Sequence, residues 1–559
     1  MQIPLTKQLY LKKFISIYFI YLLIVVLFGN NWITLWDQDE AAYAGFAKNM
    51  LDSGNYLIPN YTWSDVHRKT PLHFWTIALS YKIFGINEFA VRFPSAISIW
   101  LTTALIYLFG KSVFGKKESF IASIVISTSF LVMSLAKISV VDGGVLLYST
   151  ICGFSIVHIL LFRKKIHVPL FWFAFSLAIL AKGPPIIIFT FLFGIILFIF
   201  HPKRKNLIIL HPWIFLPISL IPLLYWVHLC NQTEEGTNFI HWLIDWYILK
   251  RIGGSVLGQS APPGTHFLVL LVVFANYLLW IPGTLIQSIK ASWKNRNSLD
   301  FILISWFVSG WLIYEFSPSK LPSYIIAAHV PFAILIAKTI VTPSKKIHLV
   351  TKLFYIGINS LIFIGISSIP FVIELRPLSK YVLILAGLFF LIVFIYINII
   401  KSRKNTEVFG SEINEKKGIN QLFKRILIFN IMFHAVIWMA ILPLINEIKN
   451  STYRVSQFID ENAENGSSVI IANNSAHPPS LPFYLKQKFT TVKEEYDFNT
   501  LQTIFYSKDP TVIILNKKTL TQYQEKDPNI TYDEIITIKS KIIKSSSYYI
   551  IMNGVKKEK

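Results

Sequence analysis

Asp37, Asp39, Glu40 and the basic pair Arg68-Lys69 lie within the stretch from Trp36 to Trp75 of an otherwise apolar chain, and their types could do chemistry together. A carboxylate can take the proton of an attacking hydroxyl. A cation can stabilise the charge that grows on a departing phosphate. Further isolated charges follow: Asp142 after AKISVV, Lys182 in LAKGPP, Arg251 in YILKRIGG and Lys320 in SPSKLPSY. Each has a plain structural alternative. Asp142 can cap a helix, Lys182 can snorkel, Arg251 and Lys320 can anchor at an interface, and the first stretch can be a solvated loop. Ionisable groups at helix ends are costly near lipid unless they pair or line a cavity, so convergence on one face would point to a site for an anionic substrate.

The elements that must position these residues are membrane spans. With 53% hydrophobic residues, 15% charged residues and a mean hydropathy of +0.52 over 559 residues, the composition is not that of a soluble globular chain. Apolar runs begin near Phe14, Phe93, Ser119, Gly143, Val168, Pro184, Leu207, His266, Leu299, Ser323, Leu349, Lys380 and Arg425, roughly 13 spans on a 20-residue criterion. The net charge of +23 does not indicate nucleic acid, because the Lys and Arg fall in short clusters between apolar runs. With a cytoplasmic N-terminus the inside loops carry Lys111/Lys116/Lys117, Arg163/Lys164/Lys165, Lys203/Arg204/Lys205, Lys290/Lys294/Arg296, Lys345/Lys346 and the Lys401–Arg425 linker. The isolated charges then share the outer face. The first span, preceded by Lys12-Lys13 and without a small-residue cleavage site, reads as a retained anchor. Cys152 and Cys230 are too few for a disulfide framework or a thiolate metal site.

Two outer loops, 37–92 and 230–266, are the candidate catalytic segments of a transmembrane domain, 1–445. In the first, Asp39 to Met50 reads as an amphipathic helix on the membrane surface, with Tyr43, Phe46, Ala47 and Met50 on one face and the acids in its first turn. Ser53-Gly54-Asn55 ends it, and Pro71 opens another short helix. The second loop turns from aromatic-rich to glycine-rich at RIGGSVLGQSAPPG, a pattern that suits a gate over a substrate and equally an interfacial re-entrant segment. From 446 to 559 the pattern changes to short strands at Val469, Lys488 to Val492, Val512, Glu534 and Tyr548, with helices near Tyr453 to Glu461, Leu481 to Lys486 and Asn499 to Tyr506. This predicts a small extracytoplasmic α/β domain. No P-loop, dinucleotide fingerprint or H-E-x-x-H is present.

The motifs DEAAYAGFAKNMLDSGNYLIPN, RKTPLHFW, FGINEFAVRFPSA, AKISVVDGG, LAKGP, the PPG after Arg251, SKLPSYI and PSLPFYLKQK occur in that order. As a set they resemble the ArnT-like and protein O-mannosyltransferase families, membrane glycosyltransferases of the GT-C fold. The resemblance implies a polytopic α-helical membrane protein of the cytoplasmic (inner) membrane with its active site on the periplasmic or outer face. It implies Asp39 as the catalytic carboxylate, Asp142 as the second acidic position, Lys69 on the donor phosphate, and Arg251, Lys320 and Tyr324 as further phosphate or lipid-head contacts. Lys182 matches the cation after the fifth span. Two departures leave the sugar, and a divalent metal ion as cofactor, open. Arg68-Lys69-Thr70-Pro71 stands where relatives often read Glu-Lys-Pro-Pro, and Trp246-Tyr247 where they often carry Glu-His.

The implied reaction moves a sugar from a polyprenyl-phosphate donor, with inversion, to a glycolipid such as lipid A, a polysaccharide or a protein. The partners are then the lipid donor, that acceptor and the bilayer. A transporter or flippase is the competing class, but it usually shows inverted repeats with charges near the midplane, whereas here the charges sit in loops on one side.

Overall fold

Apolar runs of this length can satisfy their backbone groups inside a bilayer only as helices or closed barrels, and this chain forms helices. The computed structural model describes residues 5–61, 64–250, 260–342, 349–372, 376–400, 412–446, 451–464, 466–471, 479–486, 489–491, 509–515, 517–526, 528, 531–536 and 547–553. The helices are α1 (Leu5–Leu27), α2 (Asp39–Ser53), α3 (Leu72–Phe84), α4 (Glu88–Gly110), α5 (Lys116–Ser127), α6 (Phe130–Leu135), α7 (Asp142–Phe162), α8 (His167–Lys182), α9 (Pro184–Phe200), α10 (Pro212–Cys230) and α11 (Glu234–Ile244). They continue with α12 (Thr265–Val273), α13 (Ile281–Lys294), α14 (Leu299–Phe316), α15 (Ile326–Val341), α16 (Leu349–Val372), α17 (Pro377–Ile395) and α18 (Glu412–Val436). Among the described residues, eight helices are long and apolar enough to cross a membrane, and α8, α9 and the Lys13–Leu27 part of α1 are shorter apolar helices. The chain is a polytopic helical membrane protein.

Two of the expected spans are interrupted. The run near Ser119 is α5, only 12 residues long, followed by the break at Thr128-Ser129 and the six-residue α6. The run at His266 is the nine-residue α12, followed by a 3-10 turn, Ala275–Tyr277, and α13. The breaks meet: the Thr128 and Tyr277 hydroxyls lie 2.6 Å apart and are buried. A broken helix in a membrane needs its freed polar groups answered from within the protein, and these hydroxyls lie where that need arises.

The isolated charges gather at one end of the bundle, where α1, α8 and α14 end and α4, α7 and α15 begin. Lys111, Arg163 and the Lys203 cluster follow the opposite ends of α4, α7 and α9, and Lys294 is the last residue of α13. The charge asymmetry read along the chain is therefore also an asymmetry of the fold.

The C-terminal region holds helices α19 (Ser451–Asn462), α20 (Ser480–Tyr484) and α21 (Lys517–Lys526) and strands β1 (Ser468–Ile471), β2 (Phe489–Thr491), β3 (Thr511–Leu515), β4 (Asp533–Ile536) and β5 (Ser547–Asn553). The sheet order is β2-β1-β3-β5-β4, with β1 parallel to β2 and β3, and β5 antiparallel to β3 and β4. Each expected strand is present. The expected helix at Asn499 to Tyr506 lies outside the described residues. Val455 and Ile459 of α19 pack with Val469, Ile471, Val512, Ile514 and Ile550 into one small core. Strand β3 is buried along its length, and after Thr511 it is apolar from Val512 to Leu515, as a strand covered on both faces should be.

Gly310 of α14 lets this helix approach α15 closely: a Cβ there would stand 2.6 Å from the Ala328 nitrogen and 2.9 Å from the Ala327 carbonyl carbon. These are backbone atoms of α15 and cannot step aside. Gly310→Ala should therefore cost about 1–3 kcal/mol by overpacking and lower the thermal unfolding temperature. Gly194→Ala, with open space around it, should leave that temperature unchanged.

Candidate functional site

The segment between α1 and α2 is tied down by two buried cations. The Lys137 ammonium donates to the carbonyls of Val25 (2.6 Å) and Phe28 (2.8 Å) and to Asn30 Oδ1 (3.1 Å), closing the C-terminal end of α1. Arg92 of α4 donates through Nη1 to the carbonyls of Asn30 and Ile33, both at 2.7 Å, and through Nη2 to that of Thr34 at 3.0 Å. The same guanidinium grips Glu40 with both arms, Nε to Oε1 at 2.8 Å and Nη2 to Oε2 at 2.9 Å. Glu40 also accepts from the Ser139 amide at Oε1 and the Trp36 amide at Oε2, each at 2.8 Å. Both oxygens thus accept two bonds, which fills a carboxylate, and the side chain has no exposed surface. This corrects the expectation of Glu40 as a catalytic group: it is a structural clamp.

One residue earlier, Asp39 faces outward, with 54% of its side chain accessible. Its Oδ1 accepts from the Tyr43 hydroxyl (2.9 Å), lies 3.1 Å from His67 Nδ1, and is 3.5 Å from Lys69 Nζ. Lys69 also bonds the Tyr43 hydroxyl and stands 6.0 Å from the centre of the Tyr247 ring. Tyr247 donates to the Val66 carbonyl at 3.3 Å, so the second outer loop reaches the first here. Desolvation works to raise the Asp39 pKa, but the Lys69 charge and the His67 hydrogen bond outweigh it and hold the carboxyl well below the usual range. His73, whose Nε2 lies 3.3 Å from Ser139 Oγ, is pushed down to about 3 by burial and then by Lys69, and is a neutral imidazole.

Asp142 opens α7 and pairs with Lys182 at the end of α8. The Lys182 ammonium sits 5.5 Å from the centre of the Tyr324 ring, which packs on Tyr314 at 5.8 Å. Ser139, in the turn before Asp142, bonds Glu40, so this second cluster is tied to the backbone beside Asp39. The structure thus brings together Asp39 with Lys69, and Asp142 with Lys182 and Tyr324.

Two expected cations are engaged elsewhere. Lys320 is buried and donates to the carbonyls of Tyr314 (2.9 Å), Glu315 (2.7 Å) and Ser317 (2.5 Å). All three ammonium protons are used in closing the end of α14, which corrects its assignment as a phosphate contact. Arg68 pairs with Asp65 at 2.6 Å, donates to Asn60 Oδ1 at 3.2 Å and lies 6.0 Å from the centre of the Phe239 ring. Arg251 lies outside the described residues.

Helix α2 is also not bare on a surface as expected: it is buried from Glu40 to Ala47. Tyr43, His67, Arg92 and Tyr247 were not singled out from the sequence as site residues. Tyr43 is one helical turn from Asp39, a legible spacing. His67 flanks Arg68, whose extended backbone (φ −58°, ψ 139°) turns His67 and Lys69 toward the same carboxylate.

A divalent ion at Asp39 would find His67 as a second donor, but the next neighbour is the Lys69 ammonium, a cation in the place a ligand would need. This donor set does not fit a metal ion. Among the described residues, no group of three or more His, Cys, Asp or Glu side chains is placed to hold one.

The family model described as dolichyl-phosphate-mannose-protein mannosyltransferase matches residues 68–229. The chain is 26% identical over 373 residues to undecaprenyl phosphate-alpha-4-amino-4-deoxy-L-arabinose arabinosyl transferase 2 of Proteus mirabilis, covering 65% of each chain. It is 24% identical over 373 residues to the transferase of the same description, without the numeral, from Photorhabdus laumondii, covering 65% of this chain and 66% of that one. The aligned stretch thus spans about 65% of the length of these curated relatives. The crystal structure of ArnT from Cupriavidus metallidurans in the apo state matches with a TM-score of 0.72 at 14% identity, over 98% of both chains. The form bound to undecaprenyl phosphate matches with the same score at 15% identity, over 96% of this chain and 97% of that one. At these identities the structural match is one of fold.

Removing one partner of a buried ion pair strands the other. Glu40→Ala should therefore lower the unfolding free energy by about 3–5 kcal/mol, read by denaturant titration in detergent. Asp39→Asn should change it by less than about 1 kcal/mol. Because its folded-state value is depressed, Asp39 stays ionised at neutral pH, and the pair's stabilisation is lost only as pH falls through that low value. Lys69→Met leaves desolvation in place, so the carboxyl should titrate at higher pH, followed by infrared difference spectroscopy against Asp39→Asn.

Proposed function

We propose that this chain, which resembles ArnT-like membrane glycosyltransferases in sequence and has the fold of ArnT, transfers a sugar from a polyprenyl-phosphate carrier to an acceptor at the non-cytoplasmic surface of the inner membrane. The observation that carries this reading is the Asp39–Tyr43–Lys69 cluster, with the Asp142–Lys182 pair at the same end of the bundle. The relatives support the carrier: an arabinosyl transferase named for undecaprenyl phosphate, and ArnT bound to that lipid.

Lys69 holds the donor phosphate in this reading, and Lys182 adds a second positive charge. The phosphate leaves as a stable anion, so departure requires cations rather than an acid. The acceptor oxygen attacks the anomeric carbon opposite the phosphate and the configuration inverts. Asp39, depressed by Lys69, is a weak base in the free protein. A phosphate that draws Lys69 to itself removes the chief lowering influence, and the carboxylate becomes basic when a donor is present. For an acceptor that is already anionic, Asp39 orients the pair and removes no proton. Asp142, paired with Lys182, aims it.

Purified chain in nanodiscs, given a radiolabelled polyprenyl-phosphate sugar and membrane acceptor lipid, tests this. Asp39→Asn should reduce kcat by about 100-fold or more, the usual weight of general acid–base catalysis. Lys69→Ala should raise the KM for the donor. Full activity in Asp39→Asn would remove the catalytic assignment, and an unchanged donor KM in Lys69→Ala would remove the phosphate role.

A further inference from the structure

The residue before Asp39 holds a backbone conformation that L side chains rarely adopt. Gln38 has φ 74° and ψ −116°, and a non-glycine residue stays there only when its surroundings over-determine it. On its C-terminal side lies the Glu40–Arg92 clamp. On its N-terminal side the partner is the C-terminal region. Asp37 Oδ1 accepts from the Ser480 amide at 3.2 Å and from the Ser480 hydroxyl. The Leu35 amide donates to the Tyr484 hydroxyl at 2.7 Å, and that hydroxyl donates to Glu88 Oε1 at 2.9 Å. Ser480 and Tyr484 are the two ends of α20. The Ser480 hydroxyl also lies 2.7 Å from that of Thr452 on α19. Since Ser480 spends its one proton on Asp37, Thr452 is the donor.

We propose that α20 aims the Asp39 carboxylate: Ser480 is a positioning residue that acts through Asp37 and the strained Gln38, and this rests on the role assigned to Asp39 above. Two fixed points, one from each part of the chain, bracket Gln38. With the α20 side released, the backbone at Gln38 relaxes and Asp39, the next residue, turns away from Tyr43, His67 and Lys69. The short helix in PSLPFYLKQK is in this way part of the active end of the membrane bundle.

The test uses the full chain in nanodiscs with Ser480→Ala, Gln38→Gly and the double variant, read by amide hydrogen exchange over residues 36–44 and by transfer kinetics. Ser480→Ala should raise exchange in that segment by about tenfold, the size of a lost hydrogen bond to a charged group. It should lower kcat by a similar factor at unchanged donor KM, and Ser480→Thr should restore both. Glycine carries no penalty at the Gln38 conformation, so Gln38→Gly should suppress both defects of Ser480→Ala, a coupling that a merely structural bond would not produce. Unchanged exchange in Ser480→Ala, or effects of the two substitutions that simply add, would overturn the proposal. Tyr484→Phe, which frees the Leu35 amide, gives the same reading if Ser480→Ala does not accumulate. A wild-type chain inactive toward the lipid-linked sugar would sink the transferase reading alone, because the exchange measurements decide the coupling without turnover.

Discussion

The pairing of Glu40 with Arg92 is the contact on which the charged end of this bundle depends. A guanidinium buried in a helix at the membrane boundary is tolerable only if every arm is answered. Here the answers come from a carboxylate and from the carbonyls of the segment that leaves α1. One ion pair therefore does two things: it neutralises Arg92, and it pins the first turn of α2 to α4. Asp39, the neighbour of Glu40, inherits a fixed position without being buried. The division of labour within the acidic pair follows from helix geometry, since successive residues point about 100° apart and one can face the bundle while the next faces outward.

The same economy recurs among the cations. Lys137 and Lys320 stand at chain positions that look alike from a distance, isolated charges between apolar runs. Both donate to carbonyls left open at the end of a helix, α1 for Lys137, which adds Asn30 Oδ1, and α14 for Lys320. Lys69 and Lys182 are paired with carboxylates instead and lie against tyrosine rings. A carbonyl-capping ammonium is locked by geometry. In the proposed reading, one paired to an acid exchanges that partner for a phosphate.

The C-terminal sheet is more than an appendage to the bundle. Its core forms from its own strands, α19 and Leu481 of α20, while Ser480, Phe483 and Tyr484 of α20 meet the bundle and the α1–α2 segment. Phe483 is buried with Tyr43, Phe46 and Phe74 in one apolar cluster, so the contact has packing behind it as well as hydrogen bonds.

Much of this was legible in the residue order. Apolar runs marked where most of the long helices lie, basic clusters marked one end of the bundle, and Gly54 and Pro71 marked where the loop helices stop and start, all because these signals act over one turn of helix or one bilayer thickness. The strands at Val469, Val512 and Tyr548 were equally plain, being short β-branched or aromatic runs. The sequence also brought Asp39, Lys69, Asp142 and Lys182 forward as unusual charges. Only the tertiary structure decided how each charged residue is partnered. Glu40 and Asp39 are adjacent carboxylates of the same charge and helical turn, and nothing local separates them; the partner that does, Arg92, belongs to another helix. Lys320 is distinguished from Lys182 by carbonyls that become available only when α14 ends beside it. Saturation of a polar group is a property of all its neighbours at once, and those neighbours are set by packing between segments far apart in the chain.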